Sequence, residues 1–383
     1  MIYFDNNATT RLAPEVLDAM ASVLGENFGN PSSAHAAGRS AKYVVENARD
    51  EVAGFLGARS SDEIIFTASG TEADNWAING VLEKAAGKDH LLTTRVEHEA
   101  VRKVFEALER RGYLVTWLDV DEHGLLDLDA LRSSLTDQTA LVSVMLANNE
   151  TGMIFPVGEI GQIIKERSDA IFHVDGINAV GKIPFDVGST EIDLLSIAAH
   201  KFYGPKGIGA LYIRDGVRLS PVLTGGNQER GMRAGTEAVH QIAGMGVAAR
   251  VASASLPLDG IQGMRDRLET AILDGVPRSF LNGSPDTRLR LPNTSSISFE
   301  NANGEMIMAR LDAHGICVST GSACHSQGSA ASSVLSAMNI PYSRAMGSIR
   351  FSLGRYNTED EVDRVLDVLP GIVADVRAIA GES

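Results

Sequence analysis

Cysteine is almost absent from this 383-residue chain: Cys317 and Cys324 are the only two. So few thiols, at a spacing that suits no zinc motif, exclude both a disulfide framework and a structural metal, so the fold must rest on its apolar core. Basic side chains are also scarce, 34 against 49 acidic ones, for a net charge of −15. That balance excludes bulk electrostatic attraction to nucleic acid or to an anionic membrane. Long hydrophobic runs are missing too. No stretch approaches the ~20 apolar residues that span a bilayer, and Met1-Ile2-Tyr3-Phe4-Asp5 lacks the basic start of a leader. The expectation is a soluble, cytoplasmic protein without nucleic-acid or membrane partners. No internal repeat, low-complexity tract or Gly-x-x-x-x-Gly-Lys-Ser/Thr phosphate loop is found.

What is present is enough apolar material, 44% of residues, to bury large cores, and a length that suggests two domains. Apolar residues at three- and four-residue spacing mark a helix over 38–56, and Pro14 starts a shorter one to about Leu24. Strand-type runs at 63–67, 90–94, 113–118, 139–146, 170–176, 193–199 and 211–213 alternate with helical stretches at 70–82 and 99–111. Repeated strand-then-helix units predict an α/β fold: a mostly parallel sheet with helices on both faces. A composition shift near 253–257 marks a boundary, beyond which short strands at 295–299, 317–319 and 348–352 and a closing helix over 358–379 predict a smaller α+β domain.

Two strand ends carry the chemistry. The apolar run 193–199 stops at His200-Lys201 before Gly/Pro punctuation, placing a lysine beside a buried stretch, where desolvation favours a nucleophilic amine; the plain alternative is a strand-end lysine in water. Asp175 ends another buried-type strand, at the edge where open α/β sheets bind ligands. An amine and a carboxylate so presented suit pyridoxal phosphate: the lysine forms a Schiff base and the carboxylate keeps the pyridine nitrogen protonated. Ser69 and Glu72 have capping-box spacing around Gly70, a helix start that offers N–H groups to a phosphate or simply caps a helix. His98 stands where a strand gives way to a helix, placed either to stack on a ring or to end the helix, and Asn149 lies in a polar turn after the next strand. The glycine-rich stretch 225–236 predicts a long mobile loop. Cys317 is flanked by apolar residues and is expected in the core. Cys324 lies in a loop of small residues, where an exposed thiol favours a nucleophile. Arg350 is a lone guanidinium on an apolar strand, suited to an ion pair or to a substrate carboxylate.

Jointly, Asp5-Asn6-Asn7-Ala8-Thr9-Thr10, His200-Lys201, Arg230-Gly231-Met232-Arg233-Ala234-Gly235-Thr236 and Arg350-Phe351-Ser352-Leu353-Gly354-Arg355 resemble the cysteine desulfurases of the nitrogen-fixation and iron–sulfur class, within fold-type I pyridoxal-phosphate enzymes. The resemblance implies a seven-stranded sheet in a large domain over 15–257, and a small domain of 1–14 and 258–383 carrying the cysteine loop at about 319–333. It implies conversion of L-cysteine to L-alanine with a persulfide on Cys324, for iron–sulfur cluster assembly or other thio-cofactors. Lys201 would form the Schiff base, Asp175 would meet the ring nitrogen, His98 would stack over the ring and Asn149 would bond its oxygen. Gly70, Thr71 and His200 would hold the phosphate, with Thr236 of the other subunit, making a homodimer obligatory. Arg350, with Asn7 and Asn149, would bind the substrate. Ala198 replaces a serine hydroxyl aimed at the phosphate, and Asn178 a glutamine that meets the ring oxygen. No intrinsic metal is expected, Cys324 serving at most as a transient iron–sulfur ligand, and a sulfur acceptor or iron–sulfur scaffold is the expected protein partner. Rival readings are a selenocysteine lyase or another pyridoxal-phosphate lyase or aminotransferase, and a non-catalytic sulfur carrier or scaffold-binding subunit.

Overall fold

The computed structural model describes residues 1–85, 87–320 and 331–379. The strands are β1 (Ile2–Tyr3), β2 (Ile64–Thr67), β3 (His90–Thr94), β4 (Leu114–Leu118), β5 (Thr139–Met145), β6 (Ile171–Asp175), β7 (Leu194–Ala198), β8 (Gly209–Ile213), β9 (Ser279–Leu281), β10 (Thr294–Phe299), β11 (Ile316–Cys317) and β12 (Ser348–Ser352). The helices used below are α1 (Pro14–Glu26), α2 (Ala36–Leu56), α3 (Gly70–Leu82), α4 (Glu99–Arg110), α5 (Leu128–Ser134), α6 (Val157–Arg167), α7 (Val239–Ala254), α8 (Asp259–Gly275), α9 (Gly304–Ala313) and α10 (Ser333–Ala337). No described helix is long and apolar enough to cross a membrane.

Strands β2 to β8 form one seven-stranded sheet in the order β2-β8-β7-β6-β5-β3-β4. Only β8 runs against the others, pairing antiparallel with both β2 and β7. The C-terminal ends of the remaining six strands therefore meet at one edge. Alternate residues feed two cores, as a sheet covered on both faces requires. Phe66, Leu92, Val142 and Val174 pack with α2, α6 and α7 on one face. Ile65, Leu91, Leu141 and Leu211 pack with Trp76 and Ala77 of α3 and Phe105 of α4 on the other.

A third core, around Phe4, Leu268, Ile297, Phe299 and Phe351, joins the N-terminal strand to the C-terminal region. There β12-β10-β9 form an antiparallel sheet and β1 pairs with β11. Val334, Leu335 and Met338 of the same C-terminal region instead join the core under the large sheet. Cys317, expected in the core, is only half-buried: its sole ladder partner is Tyr3 of the two-residue β1, so one flank stays open.

The stretch 225–236, expected to be mobile, is pinned. Arg49 of α2 grips the Glu229 carboxylate through both terminal nitrogens, at 2.8 and 2.9 Å, and the same carboxylate accepts the Phe66 N–H at 2.9 Å. Arg49 and Glu229 are both buried, and the pair holds Glu229 and Arg230 at φ of 44° and 57°, a left-handed backbone that costs a non-glycine residue about 1–3 kcal/mol. Removing one partner strands the other charge without compensation. Arg49→Met is therefore expected to lose roughly 3–5 kcal/mol of stability in chemical denaturation. Arg49→Lys, a point charge without the bidentate fork, should recover only part of it.

Candidate functional site

A cleft of about 250 Å³ opens at the edge where the parallel strands end. Every strand that reaches it delivers a side chain or a turn. β2 leads into Ser69, Gly70 and Thr71; β3 into His98; β5 into Asn149; β6 ends on Asp175; and β7 passes through Ala198 to His200 and Lys201. Asn178 lines it as well, and Ala8 of the N-terminal segment closes one side. Sequence reading assigned these residues from separate motifs, and topology brings them together: parallel β-strands put all their exits on one rim.

Lys201 ends a 3-10 turn, half-buried, and donates to the carbonyls of Asn7 and Ala8, the latter at 3.1 Å. Asp175 is buried and its Oδ1 accepts the Ile177 N–H at 2.9 Å. Burial pushes the Asp175 carboxyl above the usual range, while His98 and then Lys201 pull it back. A cation placed against it, such as a pyridinium, would hold it ionised. His98 caps α4, its Nδ1 accepting the Ala100 N–H at 3.1 Å, so a neutral ring carries its proton on Nε2. Burial lowers its pKa and favours that neutral ring. His200, whose Nδ1 lies 3.2 Å from Thr9 Oγ1, is lowered to about 4 by burial and the charge of Lys201.

At the start of α3, Ser69 Oγ accepts the Glu72 N–H at 3.1 Å. The reciprocal half of the capping box does not form: the Glu72 carboxylate pairs with Arg233 at 2.9 Å instead. Gly70 has no room for a side chain. A Cβ there would stand 2.4 Å from Ile177 Cδ1 and 3.2 Å from Ala198 Cβ, so the bare backbone faces the cleft. First-turn N–H groups at such a start attract an anion. An amine, a buried carboxylate, an imidazole and this glycine cradle together fit pyridoxal phosphate.

The residues expected to bind substrate are Arg350, Asn7 and Asn149. Arg350 Nη1 donates to the Asn149 carbonyl at 2.8 Å and Nη2 pairs with Asp5 at 2.7 Å. Its Nε is buried without a hydrogen-bond partner among the described residues. The Asn7 side chain is turned into the protein, bonding Thr294 Oγ1 at 2.9 Å and the Asn149 carbonyl at 3.2 Å. Thr236 does not line this cleft in the single chain; it lies in a neighbouring crevice with Gly207 and Glu237. Cys324 lies outside the described residues.

Several ionisable groups around the cleft escaped the sequence reading. Glu97, beside His98, accepts from Thr94 Oγ1 at 2.8 Å and the Met145 N–H at 3.0 Å, tying the end of β3 to that of β5, and burial pushes its carboxyl up to about 8. His173 is fully buried between Ser143 and Ser196, at 2.8 and 3.0 Å, burial lowers its pKa to about 3, and it lies 3.6 Å from Asp74. Burial, and then the charge of Asp175, push the Asp74 carboxyl well above the usual range. Lys182 is buried as well. The position of His173, two residues before Asp175 on the same strand face, was the one available signal.

The aminotransferase class-V family matches residues 2–365. A cysteine desulfurase of Trichormus azollae is 51% identical over 382 residues, covering 99% of this chain and 94% of that protein. The cysteine desulfurase NifS of Azotobacter vinelandii is 46% identical over 381 residues, with the same coverage of 99% and 94%. Among solved structures, a NIFS-like protein superposes with a TM-score of 0.91 at 39% identity, covering 98% of this chain and 99% of that one. A structure of SspA in complex with cysteine gives 0.82 at 33% identity, over 94% of this chain and 100% of that one.

Proposed function

This chain belongs to the aminotransferase class-V family, and on that premise we propose that it is a pyridoxal-phosphate-dependent cysteine desulfurase, taking sulfur from L-cysteine and releasing L-alanine. The observation that carries this reading is the convergence of Lys201, Asp175, His98 and the Gly70 cradle on one cleft. Lys201 would hold the cofactor covalently, Asp175 would pair with its ring nitrogen, and His98, Asn149 and Asn178 would contact its ring. Gly70, Thr71 and His200 would hold its phosphate beside Ala198, and Thr236 would be supplied by the second subunit of a homodimer. Bound there, the cofactor draws electrons from the substrate's α-carbon.

The chain's own residues do the rest. Arg350 and the Asn7–Asn149 segment orient the L-cysteine carboxylate. Lys201 carries a proton to and from the substrate, and His98, neutral with its Nε2 proton toward the cleft, shares that task. The Cys324 thiolate attacks the substrate sulfur. An S–S bond forms as the substrate C–S bond breaks, the electron pair goes to the carbon fragment, and that fragment takes a proton to leave as alanine. The persulfide sulfur then passes to an acceptor or iron–sulfur scaffold in the cytoplasm.

The test is mass spectrometry of the loaded protein after exposure to L-cysteine. One added sulfur on Cys324, with alanine formed in equal amount, is expected. A protein that carries the cofactor but yields neither overturns the proposal.

A further inference from the structure

Lys182 is a buried amine close to the cleft but outside its lining, and the mechanism above does not use it. Its Nζ donates to Asn7 Oδ1 at 2.7 Å and to Asn178 Oδ1 at 2.8 Å. These two bonds orient both amides, that of Asn7 together with Asn293, whose Nδ2 donates to the same Oδ1 at 3.1 Å. With their oxygens held by Lys182, Asn178 turns its Nδ2 to the Asn148 carbonyl at 3.3 Å, and Asn7 turns its own to Thr294 and to the Asn149 carbonyl. The backbone carbonyl of Asn7 in turn accepts from Lys201. One amine thus connects the N-terminal segment, the asparagine turn after β5 and the chain that follows Asp175.

The charge around it is unusual. Among the described residues no carboxylate lies within ion-pair distance of Lys182, and the charged groups it feels are Lys201 and Arg350, both of its own sign. Burial first, then those two cations, hold its pKa well below the ordinary lysine range. Lys201, for its part, faces Asp175, His98 and His200. Two N–H groups of this amine satisfy two acceptors, and its placement among like charges ties its own protonation to that of its neighbour.

Resting on the cofactor site proposed above, we propose that Lys182 is a positioning residue of that site: it fixes the Asn7 and Asn178 amides and sets the proton balance of the neighbouring Lys201. Two substitutions separate these roles from simple packing. Lys182→Met removes the donors and any charge, whereas Lys182→Arg restores donors but brings a charge that never titrates. In the cofactor-loaded protein, the pH midpoint of the visible absorption band should lie about one unit higher in Lys182→Met than in Lys182→Arg, because a fixed cation makes protonation beside it harder. Wild type should fall between them. Cofactor affinity, followed by equilibrium dialysis, should fall about tenfold in Lys182→Met and less in Lys182→Arg. Circular dichroism checks folding, and Lys182→Gln replaces Lys182→Met if the latter does not fold. Midpoints that coincide with wild type in both folded variants would overturn the proposal, leaving Lys182 a packing residue. A wild-type protein with no visible band would instead count against the cofactor site itself.

Discussion

Lys201→Ala is expected to leave a folded protein that binds pyridoxal phosphate without a covalent bond and turns over L-cysteine at least about 10³-fold more slowly. Two losses combine in that figure: the amine that captures the cofactor, and the proton carrier freed when substrate arrives, a role worth roughly 10²–10⁴ by itself. The geometry makes the amine hard to replace. Lys201 is delivered by β7 through a 3-10 turn and held against the carbonyls of Asn7 and Ala8, so it projects from the strand rim into the cleft. The next amine, Lys182, is buried and committed to two asparagines. Borohydride treatment followed by peptide mapping should place the cofactor mass on Lys201 in the wild type and on no residue in the variant. Turnover within tenfold of wild type would remove Lys201 from the mechanism.

The residues that were legible in the sequence share one property: their position along a strand already implies their position in space. Asp175 and Lys201 follow apolar runs, and a parallel sheet carries the ends of such runs to a common rim whatever the helices between them do. Gly70 was readable for a similar reason, since a strand followed by Ser69-Gly70 and a helical pattern places a helix start at that rim. Groups whose burial depends on packing between distant segments left no such trace. Lys182 looks like a surface residue beside Gly181, and only the N-terminal segment folding over it brings the Asn7 oxygen to its amine. Arg49 and Glu229 were likewise silent, and without their pairing a glycine-rich stretch reads as a mobile loop. Glu72 shows the same competition in miniature: local spacing predicts a bond back to the Ser69 N–H, but Arg233 offers a full charge and wins the carboxylate.

Cys324→Ala should separate capture of the substrate from removal of its sulfur. The cofactor residues Lys201, Asp175, His98 and Gly70 all belong to the large-sheet rim, so the loaded variant should keep its visible absorption and still change colour on addition of L-cysteine. Release of alanine and sulfide should nevertheless fall at least about 10³-fold, and no added sulfur should be found, since the remaining thiol, Cys317, does not line the cleft. Both anchors of the segment bearing position 324 lie against the substrate side. Ser319 exchanges backbone bonds with Arg350, at 2.7 and 3.3 Å, and Ser332 caps α10 while donating its hydroxyl to Glu150, next to Asn149. Cys317 provides the internal control. It pairs with Tyr3 away from the cleft, and burial raises its thiol pKa, so Cys317→Ala should retain full activity. If instead Cys324→Ala kept alanine release within tenfold of wild type, the reaction would need no protein thiol, and direct loss of the chalcogen as the element, its bonding electron pair staying on the carbon that becomes alanine as in selenocysteine lysis, would replace persulfide transfer as the chemistry of this cleft.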